Sequence, residues 1–73
     1  MSSVVMYVKP RCPYCQAARE QLASEGADVE ERDATTSPEW KAELMGYTNG
    51  GGVVPTIVRE GGDVQVGFPP GRG

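Results

Sequence analysis

Seventy-three residues suffice for one domain, 1–73, and leave no room for a second. Ten acidic against seven basic residues, a formal charge of −3, argue against nucleic acid and anionic membranes, which are bound by neutralising phosphates with Lys and Arg. Two cysteines and no histidine exclude a disulfide framework and a conventional zinc site, so a thin core must stand on packing alone.

The first run, Val4-Val5-Met6-Tyr7-Val8, is rich in β-formers and apolar on both faces, the pattern of a central, buried strand. It is too short for a signal-peptide core or a membrane span, which leads to the expectation of a reducing, cytoplasmic setting. There a close cysteine pair reads as catalytic or metal-binding rather than structural.

After Lys9-Pro10-Arg11 a helix begins. Pro13 suits the first helical position, where its missing N–H costs nothing, and this makes Cys12 the N-cap. Ala17 to Ala23 are good helix formers, Gly26 is a terminator, and Cys15, Ala18 and Leu22 share one face. Asp28 to Asp33 is mostly charged and is expected as an edge strand, where charge discourages pairing with other chains. A second helix is capped by Ser37 and opened by Pro38, with Trp40, Leu44 and Tyr47 along one side. Thr48 to Gly52 is a loop. Val53 to Val58 and Val64 to Val66 flank Gly61-Gly62 and read as a hairpin whose two-residue turn sets Glu60 opposite Asp63, a mildly repulsive pair. Phe68 to Gly73 is filled with proline and glycine and cannot form a helix.

The order is strand, helix, strand, helix, strand, strand. A right-handed crossover makes the first two strands parallel, and the hairpin adds antiparallel strands to the same sheet.

A Cys-X-X-Cys at a helix start, just after a buried strand, is a redox signature with a mechanism. The thiolate is the reactive form. At the N-cap, Cys12 can accept hydrogen bonds from free first-turn N–H groups, the helix dipole favours its negative charge, and Lys9 and Arg11 add positive charge nearby. Cys15, one turn in and on the buried side, lacks that support, so Cys12 is expected to attack and Cys15 to resolve. Two other readings stay open. A structural disulfide would close only a tiny loop, worth about 2 kcal/mol. Half a zinc site would need a metal shared between two chains. Tyr14 is a substrate contact or plain helix cover. Val54-Pro55 is a trans edge proline or a cis bond that turns the Val54 backbone outward, where an extended substrate can pair with it.

Lys9-Pro10-Arg11-Cys12-Pro13-Tyr14-Cys15 closely resembles the active-site segment of dithiol glutaredoxins, and Val53-Val54-Pro55 resembles their Thr-Val-Pro segment, whose proline is cis. The resemblance extends from Val4 to Phe68. It implies an α/β, thioredoxin-like fold: a four-stranded mixed sheet flanked by helices, with strands in the order second, first, third, fourth. It implies Cys12 as nucleophile and Cys15 as resolving thiol, with Lys9, Arg11, Pro13, Tyr14, Val54, Pro55 and Gly67 around the substrate or glutathione. No metal and no tightly bound cofactor are implied; glutathione would be a co-substrate.

Two departures from the family matter. Where glutathione-using members carry a Gly-Gly-X-(Ser/Thr)-Asp segment after the last strand, this chain reads Val66-Gly67-Phe68-Pro69. That ending is more like the redoxins that serve ribonucleotide reductase and draw on thioredoxin reductase. The usual final helix is also absent, which leads to the expectation of a less covered sheet face. The expected activity is reduction of protein disulfides or glutathione mixed disulfides by a monomer fed by the glutathione reductase system or by thioredoxin reductase. The rival is a dimer holding an iron–sulfur cluster or metal through Cys12 and glutathione, which Pro13 disfavours. A non-catalytic adaptor is a third reading.

Overall fold

In the computed structural model, residues 3 to 68 are described, in the order β1 (Ser3–Val8), α1 (Pro13–Ser24), β2 (Asp28–Asp33), α2 (Pro38–Tyr47), β3 (Thr56–Arg59) and β4 (Val64–Val66). The sequence readings of residues 69 to 73, including the missing final helix, lie outside the described residues.

The sheet runs β2-β1-β3-β4, with β2 parallel to β1 and the other neighbours antiparallel. The apolar β1 is therefore paired on both edges, and the charged β2 takes an outer position as its composition required.

Register assigns the helices to faces. Met6 pairs with Glu31, and Arg19 of α1 grips Glu31 through two hydrogen bonds of 2.6 and 2.7 Å, so α1 covers the face carrying Val4, Met6 and Val8. Tyr7 pairs with Arg32 on the opposite face, under α2, where the Tyr7 hydroxyl donates to the Glu43 carboxylate at 2.7 Å. Arg32 donates to both the Tyr7 oxygen and Glu43, and it also pairs with Glu30. The Tyr7 ring meets that of Tyr47 at 5.8 Å between centroids. Between the layers, Val4, Met6, Tyr7, Val8, Cys15, Ala18, Leu22, Leu44, Val54 and Ile57 form the core.

Two expectations need correction. Tyr47 does not line the buried side of α2: it is 44% exposed and lies over the rim of Tyr7, while Leu44 is the helix's buried residue. Tyr7 has already filled the space beneath that end of α2.

The hairpin turn is longer than two residues. Val58 pairs with Val64, the Arg59 N–H donates to the Asp63 carbonyl at 2.7 Å, and Glu60, Gly61 and Gly62 make the loop. Both glycines sit at φ near +97°, a region L side chains avoid. The shift sets Arg59, not Glu60, across from Asp63, so a like-charge pair is replaced by an opposite one. Glu60 turns instead to the first strand: its N–H donates to the Ser3 carbonyl at 3.2 Å and its carboxylate accepts from the Ser3 N–H at 3.3 Å.

The less covered part of the sheet is not on the α1 face, where Val4, Met6, Val8 and Ile57 are all buried. It is on the α2 face beyond the short helix, where Val5, Val58 and Val64 stand in register and Val64 is 41% exposed.

Apolar burial, rather than the ion pair, holds α1 in place. Leu22→Ala is expected to cost about 2–5 kcal/mol, the range for emptying a buried leucine site. Arg19→Ala, which breaks a pair with both side chains well exposed, should cost less than about 1 kcal/mol. Urea denaturation of the two variants measures both.

Candidate active site

Four residues separate the end of β1 from the start of α1, and they set the attacking sulfur. Arg11 adopts φ 60°, a left-handed conformation that is unusual for a side-chain-bearing residue, and this turns the chain sharply before Cys12. Cys12 then takes an extended N-cap conformation (φ −104°, ψ 106°) with Pro13 opening the helix. Its carbonyl accepts the N–H groups of Cys15 and Gln16 at 3.1 and 3.3 Å, and its Sγ accepts the Cys15 N–H at 3.4 Å. The sulfur thus sits at a helix mouth against a first-turn amide that it shares with its own carbonyl, at the N-cap its position in the sequence predicted.

The two thiols differ sharply in setting. Cys12 is partly exposed and Cys15 is buried. Burial raises the pKa of the Cys15 thiol from 9.0 to about 12, and the hydrogen bond and charge of Cys12 push the same way. The Lys9 backbone and the Arg19 charge only partly oppose this. Below that range Cys15 keeps its proton.

The remaining sequence-derived residues fall into two groups. Arg11, Pro13 and Tyr14 are exposed beside Cys12. Lys9 and Val54 line one cavity of about 610 Å³, and neither Arg11, Pro13, Tyr14, Pro55 nor Gly67 is among its walls. The Val54-Pro55 peptide is cis, as the resemblance implied. Val54 is buried, yet neither its N–H nor its C=O has a hydrogen-bond partner among the described residues. The next carbonyl, that of Pro55, accepts the Gly67 N–H at 2.8 Å, so Gly67 (φ 85°) braces the cis-proline segment from β4.

The cavity is also lined by residues to which the sequence reading gave only a structural part or none: the turn Ala34 to Ser37, Pro38, Lys41, Leu44, Met45 and Gly52. Lys41, Leu44 and Met45 follow the i, i+3, i+4 spacing of one helix face, a signal present in the sequence, whereas the face read from it was that of Trp40, Leu44 and Tyr47. Gly52 sits at φ 65°, which favours glycine, and a Cβ there would come within 2.9 Å of the Met45 methyl and displace the flexible end of that side chain.

This fold, with a dithiol at the N-terminus of its first helix and a cis-proline facing the same end, defines a thioredoxin-like thiol redox protein. The chain belongs to the glutaredoxin family, which it matches over residues 4–64. Among solved structures it is similar to a glutaredoxin from Brucella melitensis, solved in solution, at 33% identity and TM-score 0.63, covering 89% of this chain and 68% of that one. It is also similar, at 40% identity and TM-score 0.53, to a structure described by the words Metal Binding of Glutaredoxins, covering 78% of this chain and 61% of that one. No curated protein matches in sequence. No helix among the described residues is long and apolar enough to cross a membrane.

The raised Cys15 thiol predicts a loss of stability in alkali. Its pKa is higher folded than unfolded, so the folded state holds more protons above about pH 9 and stability falls as pH rises toward 12. Tyr7, pushed up to about 12 mainly by burial, adds to the same slope from about pH 10. Urea midpoints measured from pH 8 to 11 should fall, and the fall should be shallower in Cys15→Ala and in Tyr7→Phe. A flat profile in the unsubstituted protein refutes the burial of both groups.

Proposed function

We propose that the protein is a thiol–disulfide oxidoreductase that reduces protein disulfides or glutathione mixed disulfides through Cys12 and Cys15. The observation that carries this reading is the asymmetry of the pair: Cys12 Sγ lies at a helix mouth against the Cys15 N–H, while the Cys15 thiol is buried and held protonated.

The steps follow from that asymmetry. The Cys12 thiolate attacks one sulfur of the substrate disulfide; the S–S bond breaks, and the departing sulfur leaves as a thiolate and is protonated. A Cys12 mixed disulfide no longer carries negative charge, so two of the influences that raise the Cys15 pKa, the hydrogen bond and the charge of Cys12, fall away. Cys15 then loses its proton and attacks Cys12 Sγ, releasing the second substrate sulfur. The substrate gains two electrons and two protons, and the protein is left with a Cys12–Cys15 disulfide. The unpaired N–H and C=O of Val54 offer an extended substrate the two hydrogen bonds of a short added strand.

Lys9, Arg11, Pro13, Tyr14, Pro55 and Gly67 surround or brace this mouth in our reading. Glutathione serves as co-substrate, and either the glutathione reductase system or thioredoxin reductase restores the dithiol. We place the protein in the cytoplasm as a monomer, with disulfide-bearing proteins as partners and neither nucleic acid nor membrane among them.

A coupled NADPH assay tests this, run once with glutathione and glutathione reductase and once with thioredoxin reductase. Turnover with one system identifies the electron source; turnover with neither sinks the proposal. Cys12→Ser should abolish turnover, and Cys15→Ser should accumulate a covalent adduct at Cys12, visible by mass spectrometry.

The likeness to a glutaredoxin structure concerned with metal binding supports one further reading, a metal site. No group of three or more His, Cys, Asp or Glu side chains among the described residues is placed to hold a metal, so one chain does not supply a ligand set. A site would need Cys12 from two chains and an external thiol. Visible absorbance bound to a dimer after anaerobic reconstitution would support it.

A further inference from the structure

Positive charge is distributed unevenly over this acidic chain. Of the described cations, Arg19, Arg32 and Arg59 each form an ion pair, with Glu31, with Glu30 and Glu43, and with Glu25 respectively. Lys9, Arg11 and Lys41 form none among the described residues, and no side-chain hydrogen bond engages them. All three are exposed. Arg11 precedes Cys12 in the chain, while Lys9 and Lys41 stand on the wall of the cavity that Val54 lines.

That cavity is mostly apolar, with Leu44, Met45 and Val54 in its surface beside Thr35, Thr36 and Ser37. The acidic groups beside it are few. Asp33 is engaged by the N–H and hydroxyl of Thr35, and Glu39 lies in the first turn of α2 outside the cavity wall. Unpaired cations around an apolar groove, beside unpaired backbone donor and acceptor groups, form a receptor for an extended chain that carries carboxylates.

We propose that the partner segment recognised here is an acidic polypeptide stretch flanking a disulfide, with Lys41 and Lys9 receiving carboxylates while the Val54 backbone aligns the chain. The inference rests on the oxidoreductase reading and names its substrate class. It also opposes what the net charge suggests: at −3, the protein as a whole would favour a basic partner.

The test uses three pyridyl disulfides and the pre-reduced full chain in single turnover, with released pyridine-2-thione as the readout. Two are peptides identical except for Glu or Lys at the positions flanking the cysteine; the third is glutathione pyridyl disulfide. At low ionic strength the acidic peptide should react about tenfold faster than the basic one, and the ratio should shrink as salt rises. Lys41→Gln should lower the ratio about threefold. Ala23→Glu makes the same change in net charge roughly 16 Å along α1 from Cys12 and should leave the ratio unchanged.

Equal rates for the two peptides, a faster basic peptide, or equal losses in the two variants overturn the proposal. So does an effect of Lys41→Gln on the glutathione disulfide alone, which would assign the lysine to a small thiol rather than a polypeptide. If the pre-reduced protein releases no thione from any of the three, the oxidoreductase reading itself fails.

Discussion

The pairing of β1 on both edges fixes the rest of the molecule. A strand hydrogen-bonded to β2 on one side and β3 on the other cannot shift without breaking two ladders, and its apolar side chains other than Val5 are buried. Its end at Val8 is therefore a rigid point. The short link to α1, with its left-handed Arg11, delivers the N-cap sulfur from that point, and the antiparallel partner β3 brings the cis-proline segment to the same end. Both parts of the site are attached to neighbouring strands. Their separation is set by the interior and not by the loops that carry them.

What was legible in the sequence was mostly local. Ser37-Pro38 and Cys12-Pro13 each place a cap beside a proline, and the helices begin where those dipeptides put them. The charged run at Asp28–Asp33 gave its edge position away because no central strand tolerates that composition. What was missed depends on contacts distant in the chain. The hairpin register turns on Glu60 meeting Ser3, fifty-seven residues away, which no turn rule contains. Lys41 entered the site because the β2–α2 turn and the glycine loop fold around its helix face, and Tyr47 left the core because Tyr7 was already there.

Burial and charge divide the work between them. The paired arginines tie helices to the edge strand at the surface, where each contributes little, while the close packing of Leu22, Ala18, Ile57 and Met6 carries the stability. The same contrast separates the two sulfurs. One sits where amides and solvent can meet a negative charge, and the other is three residues on, where desolvation keeps it neutral.

The donor to Cys12 Sγ is the main-chain N–H of Cys15, and that has an evolutionary consequence. Pro13 has no N–H to give, so the first turn offers its help through a group that every amino acid except proline possesses. Drift at position 15 can remove the second thiol without removing the amide that supports the first. A descendant with a single cysteine would keep a held nucleophile, so passage from two-thiol to one-thiol chemistry is open to this scaffold in one substitution.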